Sequence, residues 1–344
     1  MRIASLAALA ALAPTLLAAQ DAQRSLDLGV HHTGLSIGDS RRWTGLRINA
    51  VDTRLERLDG INVTVWSPRR SSHGEVRGLA INAPMGGARR FSGIALGGGY
   101  GTEESMTGLS LSLIGAGAGG DVRGIHMAGV GFGSGGSLRG ITLAGVGAGA
   151  GGGIEGITIG GVGVGTGGNG KGLMVGGVGA GVGGDFDGIA IGGVGTGVGG
   201  NFRGLSIAGV GTGAGGDFTG IALAGVGTGA AGTLHGLAVS GVGVGASAIR
   251  GIAAAGLGVG GQKLTGVFAA AYTIRIADVD HRGDGELHGV GISAFNDVRG
   301  TQRGLTIGVV NYARSLHGAQ VGVVNIVRNN PAGRRVLPIL NWGR

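Results

Sequence analysis

The sequence contains no cysteine, and aromatic residues make up only 4% of its 344 positions. Without cysteine, no disulfide bond can contribute to the stability of the fold. The scarcity of aromatic residues also removes the side chains on which the bases of single-stranded nucleic acid stack. Stability and function must therefore come from other features of the chain.

Charged residues are also scarce, at 13%, and the net charge of +8 comes from scattered residues and not from a basic block. Adjacent arginines occur as four separate pairs, at 41–42, 69–70, 89–90 and 334–335. This distribution gives a weak attraction to an anionic envelope surface and disfavours nucleic acid as the partner. It leaves association with a membrane surface open.

The one continuous apolar segment lies at the N-terminus. Arg2 precedes the apolar residues 3–17, and "LAA" stands before Gln20. This order is typical of a secretory signal peptide, which we expect to be cleaved after Ala19. No other stretch reaches the roughly 18 apolar residues of a membrane-spanning helix. The sequence therefore predicts an exported protein that no helix anchors.

Glycine dominates what is present, with 86 residues, and its positions define a repeat. From Gly108 the repeat restarts every sixteen residues, at Gly124, Gly140, Gly156, Gly172, Gly188, Gly204, Gly220 and Gly236. On either side the spacing between restarts falls to fifteen residues, at Gly78, Gly93, Gly251 and Gly266. We accordingly expect a signal peptide (1–19), an N-terminal β region and cap (20–77), a glycine-rich repeat segment (78–266) and C-terminal repeats with a cap (267–344).

The positions within a unit differ in character, as residues 204–219, "GLSIAGVGTGAGGDFT", illustrate. Positions two and four are aliphatic, position three varies, position seven is valine and position fifteen is usually large. Because an apolar–variable–apolar pattern indicates a strand with one buried face, we expect positions two, four, seven and fifteen inside and position three outside. The alternating "GVGTGAG" predicts a bare outer sheet face. The sequence leaves open the opposite assignment, with glycine inward and the position-seven valines outward.

A phosphate-binding pattern, G-x-x-x-x-G-K-[ST], is nearly matched by residues 165–171, but Gly172 stands where Ser or Thr is required. Lys171 occupies position sixteen, where neighbouring units have Glu155 and Asp187. A strand pattern also follows Lys171, whereas a phosphate loop needs a following helix. We therefore expect no nucleotide site.

Other motif matches are explained by the repeat in the same way. Ser36 in "GLSIG" fits the nucleophile elbow G-x-S-x-G but occupies the variable third position. The acidic residues 278–286 could hold a hard cation, yet their order departs from known calcium loops and favours a solvated loop. We predict no catalytic, cofactor-binding or metal-binding residue, no cofactor, and hence a protein that is not an enzyme.

Two β architectures use units of this length. In a parallel β-solenoid, equivalent positions stack as ladders, which suits Phe186, Phe202 and Phe218 and the recurring Asn296, Asn311 and Asn325. The alternative is an antiparallel β-barrel of the outer-membrane type, in which those phenylalanines would alternate between opposite ends. We predict an all-β solenoid of about sixteen-residue coils with capped ends.

The C-terminal stretch "GLTIGVVNYARSLHGAQVGVVNIV", followed by "LPILNWG", resembles the glycine-rich bacterial surface-repeat proteins of the leptospiral type. The resemblance covers residues 289–344. It implies a location in the cell envelope and brings no catalytic residues.

The expected function is that of an exported structural or interaction protein of the bacterial envelope or surface, located in the periplasm, in the outer membrane or on the cell surface. Its partner would be an envelope component or another copy bound through the glycine-rich face. One alternative is an outer-membrane pore or anchor. A minor one is binding to ice or another surface through a flat face of glycine with Thr196, Thr212 and Thr228.

Overall fold

The computed structural model of the chain describes residues 25–67, 74–277 and 284–343. Over these ranges most of the backbone is β-strand, and the strands of successive repeats pair in parallel. About sixteen residues make one coil, and hydrogen-bonded coils lie at the ~4.8 Å spacing of neighbouring strands. The fold is the parallel β-solenoid that the sequence predicts, and not its antiparallel alternative.

The chain divides into two compact units, Met1–Gly156 and Ile157–Arg344. The first contains β1 (Ser25–Val30), β2 (Thr33–Gly38), β3 (Arg42–Val51), β4 (Arg57–Trp66), β5 (Glu75–Ala118), β6 (Val122–Ala128), β7 (Gly131–Ser134), β8 (Leu138–Ala144) and β9 (Gly147–Ala150). The boundary falls within β10 (Ile154–Gly160).

The second unit contains β11 (Gly163–Thr166), β12 (Gly170–Gly176), β13 (Gly179–Val182), β14 (Phe186–Gly192), β15 (Gly195–Val198), β16 (Phe202–Ala208), β17 (Gly211–Ala214), β18 (Phe218–Ala224), β19 (Gly227–Ser240), β20 (Gly243–Ala255), β21 (Gly258–Gly261), β22 (Lys263–Ala270), β23 (Thr273–Ile276), β24 (Gly285–Ile292), β25 (Phe295–Val327), a 3-10 helix (Ala332–Arg334) and β26 (Val336–Gly343). A regular coil has a seven-residue strand such as β16 and a four-residue strand such as β17.

The first and the last strands of the described residues pair antiparallel with their neighbours. β1 forms a hairpin with β2, and its turn residues His31 and His32 both have positive φ, as a two-residue hairpin turn requires. β26 pairs antiparallel with β25. Pairings between these limits within each unit, such as β2 with β3 and β16 with β18, are parallel. The terminal strands cover edges that the parallel stack would otherwise expose.

Position one of the repeat is glycine because the backbone there has a positive φ, between 109° and 144° from Gly172 to Gly236. A Cβ on Gly204 would lie 2.0 Å from the carbonyl oxygen of Gly188 in the preceding coil. A side chain at this position would strain the backbone and force neighbouring coils apart. This glycine is therefore required by the fold.

The interior of the second unit is filled from positions three, five, nine, eleven and fifteen. Phe186, Phe202 and Phe218 are buried at position fifteen, and their ring centroids lie 5.4 and 4.5 Å apart in sequence order. Position three contributes smaller buried residues, among them Ala190 and Ser206. The predicted phenylalanine stack is confirmed.

The prediction that positions two, four and seven face inward is wrong. Ile189 at position two is 40% exposed and Val194 at position seven is 49% exposed, whereas Ala190 at position three is 2% exposed. The reason is that β14 is one continuous strand from position fifteen to position five, and side chains alternate along a strand. Because Phe186 points inward, positions three and five must point inward as well, and positions two and four outward.

Asn296, Asn311 and Asn325 form the stacked ladder that the sequence predicts. The Asn296 side-chain amide donates to the Asn311 carbonyl oxygen at 2.7 Å, and Asn311 donates to Asn325 at the same distance. Asn325 in turn donates to the backbone carbonyl of Leu337 at 3.3 Å. The ladder therefore ties the last coils to the closing strand β26.

Candidate functional site

The two residues that the motif matches single out, Lys171 and Ser36, both lie on β-strands of the solenoid. Lys171 is exposed on β12, a strand and not a helix, and lies in register with Asp187 of the next coil. Ser36 is fully buried and donates a hydrogen bond to Asp27 of the neighbouring strand at 2.7 Å. The hydroxyl of Ser36 thus adds a side-chain link between the two strands of the first hairpin.

Two of the predicted features fall outside the described residues. These are the expected signal peptide, residues 1–19, and residues 278–283 of the acidic segment. Of that segment, Asp284 and Glu286 are described, and Glu286 is an exposed residue of β24.

Thr196, Thr212 and Thr228 do not line the glycine face, which corrects the expected flat surface of glycine and threonine. All three are buried. The Thr196 hydroxyl lies 2.6 Å from that of Ser206 and donates to Thr212 at 2.8 Å, and Thr228 lies 2.7 Å from Ser240. The threonines occupy position nine, which alternates with the outward glycines and so points into the core.

A buried ion cluster in the first unit was not foreseen from the sequence. The guanidinium of Arg47 is fully buried and lies 3.0 Å from Asp39 and 3.1 Å from Asp52. It also donates to Asn62 and Ser40, each at 3.1 Å. Burial raises the pKa of Asp52 and outweighs the opposing effect of Arg47. Because every nitrogen of the guanidinium is paired, the cluster has the character of a structural core and not of a reactive site.

His126 is a second buried titratable group. Its ring stacks on Phe132 with centroids 4.9 Å apart, and neither ring nitrogen has a hydrogen-bond partner. Burial lowers the pKa of His126 and outweighs the opposing effect of the Arg123 backbone. The hydroxyls of Ser110 and Thr142, at the same repeat position in adjacent coils, are likewise buried and unpaired. This column is a polar seam in the core of the first unit.

The outer surface of the first unit contains a groove of about 860 Å³. Its lining includes the outward-facing glycines 115, 117, 131 and 133, with the side chains of Met85 and Ile114 beside them. The Met85 methyl group would lie 3.6 Å from a Cβ placed on Gly99, so this side chain partly covers the glycine surface. Most of the groove lining is apolar, and its titratable residues are Tyr100 and Glu103.

The second unit carries a longer surface of the same kind, which we treat as the candidate site. Its first element is the valine ridge, formed by Val162, Val178, Val194, Val210, Val226, Val242 and Leu257 at position seven. Each of these residues is 42–57% exposed. Backbone hydrogen bonds join each of them to the ridge residue of the preceding coil, as in Val194 N–H to Val178 O at 2.7 Å and Val210 N–H to Val194 O at 2.8 Å. The ridge is therefore continuous over seven coils.

Beside the ridge lies the glycine strip, formed by the outward positions eight and ten. Its members are Gly163, Gly165, Gly179, Gly181, Gly195, Gly197, Gly211, Gly213, Gly227, Gly229, Gly243, Gly245, Gly258 and Gly260. A Cβ at any of these would meet nothing closer than 3.3 Å, and at Gly181 and Gly197 nothing within 4 Å. Unlike the glycine at position one, these glycines are not required by packing within the chain.

The whole outer side from position two to position ten lacks polar side chains in the seven described coils between Ile157 and Gly260. Its outward residues are the aliphatic columns at positions two and four, the valine ridge and the glycine strip. Charged residues such as Lys171, Asp187 and Arg203 occupy position sixteen, which flanks this apolar side. An apolar surface of this extent is typical of an interaction surface.

Sequence reasoning identified the bare glycine face but missed the ridge, because valine was expected inside. The available signal was the parity of the strand, since Phe at position fifteen already fixes which residues face inward.

No family model, curated protein or solved structure matches this chain. Among the described residues, no helix is long and apolar enough to cross a membrane, and no group of three or more His, Asp or Glu side chains could hold a metal ion.

Proposed function

We propose that the protein is an exported, non-enzymatic structural or interaction protein of the bacterial cell envelope or surface. The observation that carries this proposal is the outer side of the second unit, where glycine occupies positions that would accept a side chain. Each glycine in a strand costs roughly 0.5–1 kcal/mol relative to alanine. Keeping glycine at positions where alanine fits is understandable if another surface must approach the backbone closely.

The export part of the proposal rests on the N-terminal sequence and on the resemblance to envelope repeat proteins. The non-enzymatic part is supported by the structural roles of Ser36 and the Arg47 cluster. The partner is either an envelope component or another copy of the chain. A pore or anchor is less well supported, because that alternative required antiparallel strands between repeats. Binding to ice is likewise less well supported, because the threonines that it required are buried.

Fractionation of a Gram-negative bacterium expressing the full chain tests the proposal. When the full chain is expressed, the protein should appear in the periplasmic or envelope fraction, and its mass should be smaller by the mass of the signal peptide. A matched variant lacking residues 2–19 should remain in the cytoplasm at full length. Retention of the intact chain in the cytoplasm would contradict export.

A further inference from the structure

We infer that the partner of the apolar outer side is a second copy of this chain, related by a two-fold axis parallel to the direction in which the coils stack. This inference rests on the proposed function, because it names the partner of the same surface. It adds how the two copies meet: the valine ridge of each copy lies in the glycine strip of the other.

The area of the apolar side matches what a stable dimer buries. The usual relation between burial energy and area gives a fully exposed aliphatic side chain an accessible surface of roughly 60–120 Å². Of the 21 side chains in three columns over seven coils, 12 are 38–57% exposed and the other nine are less exposed, so together they offer roughly 400–900 Å². A typical monomer exposes apolar patches of only about 300–600 Å², whereas each partner in a standard interface contributes about 800 Å².

The ridge and the strip are complementary in shape. The ridge projects side chains at every coil, and the adjacent strip presents backbone alone. Both features run along the stacking direction with the same repeat, one coil at a time. Valine from a facing surface can therefore reach the backbone of the strip without clashing, and side chains there would prevent this contact.

Symmetry then selects the arrangement. A two-fold axis along the stacking direction exchanges ridge and strip between the copies, so each ridge meets a strip. It also keeps the coils level, so that Val194 of one copy lies at the height of Gly197 of the partner subunit. A two-fold axis across the stacking direction would place ridge against ridge and leave both strips uncovered.

The coil beyond Gly260 fits the same arrangement. There the ridge position is Tyr272 and the strip position is Arg275, and both are exposed. The proposed axis brings Tyr272 of each copy next to Arg275 of the other, which allows two symmetric cation–π contacts.

Lipid is the weaker occupant of this surface. Peripheral membrane surfaces combine aromatic anchors with Lys and Arg facing anionic lipid. The seven coils of ridge and strip have no outward aromatic side chain, and the exposed Tyr272 and Phe295 lie in the two coils beyond them. The flanking column mixes Lys171 and Arg203 with Asp187.

Light scattering of the purified protein at micromolar concentration measures its oligomeric state and so tests the inference. We expect twice the mass of one chain for the wild type. The variant Gly197→Glu, at a site with open space, should halve the mass while leaving the circular dichroism spectrum unchanged. The matched control Thr219→Glu, at exposed position sixteen, should keep the doubled mass. A monomeric wild type, or a dimer that Gly197→Glu leaves intact, would overturn the inference.

Cysteine pairing tests the geometry, because the chain has no cysteine of its own. An oxidised mixture of Val194→Cys and Gly197→Cys chains should form the mixed disulfide dimer. A mixture of Val194→Cys with Gly245→Cys, three coils away, should form at least tenfold less. Equal or reversed yields would rule out the proposed axis.

Sedimentation with phosphatidylglycerol vesicles separates this inference from the proposed function. A monomer that binds the vesicles through this side, and loses binding in Gly197→Glu, would overturn the dimer while leaving an envelope role in place. A dimer that stays in the cytoplasm of expressing cells would support the dimer and contradict the proposed export. The expected result is a dimer that does not sediment with the vesicles.

Discussion

Single glycine residues have two different roles in this chain, and only their surroundings distinguish them. At position one, a positive φ and the carbonyl oxygen of the preceding coil leave no room for a Cβ. At positions eight and ten, the space beyond the backbone is open. The first role belongs to the fold, and the second makes sense only in relation to something outside the chain.

Alanine substitution in the first unit separates the two roles. Gly140 has φ near 119°, and its Cβ would lie 2.1 Å from the Gly124 carbonyl oxygen, whereas nothing lies within 4 Å of a Cβ on Gly133. We expect Gly140→Ala to cost about 1–3 kcal/mol from backbone strain alone, with the clash added. Gly133→Ala should be neutral or stabilise by up to about 1 kcal/mol. Urea unfolding followed by circular dichroism measures both, and equal midpoints would refute the distinction.

The buried ring of His126 should make stability depend on pH. Because burial lowers its pKa, the folded state favours the neutral ring. Its contribution is therefore complete above the unfolded-state pKa of about 6.5 and is lost as pH falls through the lower folded-state pKa. The variant His126→Thr takes the residue that the next coil has at Thr142. We expect the wild type to lose more stability than this variant between about pH 7 and pH 4.5, as measured by urea midpoints. Parallel losses would show that His126 does not contribute.

At the scale of the strand, alternation decides which residues form the core, and hydrophobicity does not. The largest aliphatic residues lie outside because Phe at position fifteen and the small residue at position three share one face of the same strand. A thin interior that contains a stacked ring has room for only Ala, Ser, Thr or a single larger residue at position three. The most apolar positions of the repeat consequently remain on the surface.

A matched pair of substitutions in β14 tests this assignment. Ala190→Asp places an unpaired carboxylate in the core, which should cost several kcal/mol or prevent folding. Ile189→Asp removes only a half-exposed side chain and should cost about 1 kcal/mol. Yields of folded protein and urea midpoints compare the two variants. A larger loss for Ile189→Asp would mean that the strand faces the other way.

Much of the architecture could be predicted because repetition makes equivalent residues neighbours. The sixteen-residue period leads to the Phe186–Phe202–Phe218 stack, and the recurrence of asparagine at the same place in the shorter C-terminal units leads to the ladder. The sidedness of Val194 could not be predicted from apolar character, because an apolar residue on an interaction surface has the same sequence pattern as a core residue. The cluster around Arg47 could not be predicted either, since its partners come from non-repeating segments that only the coiling brings together.

At the scale of the whole molecule, a solenoid is a stack in which each coil depends mainly on its neighbours. Phe202 contacts Phe218 of the next coil, and Gly204 pairs in register with Gly220. Stability should therefore behave as a sum over coils and their contacts. The chain should tolerate the loss of a complete coil far better than the loss of part of one.

Deletion of residues 204–219 tests this property. It removes one complete repeat and joins Arg203 to Gly220, so every later residue keeps its repeat position and Phe202 meets Leu234 in place of Phe218. We expect a folded protein with the same circular dichroism per residue and a modest loss in urea midpoint. Deletion of residues 204–211 removes half a repeat and moves Phe218 from position fifteen to the outward position seven and Gly220 from position one to position nine, so we expect aggregation or loss of strand signal. If both deletions are tolerated equally, or both fail equally, stacking in a sixteen-residue register is not what holds the molecule together.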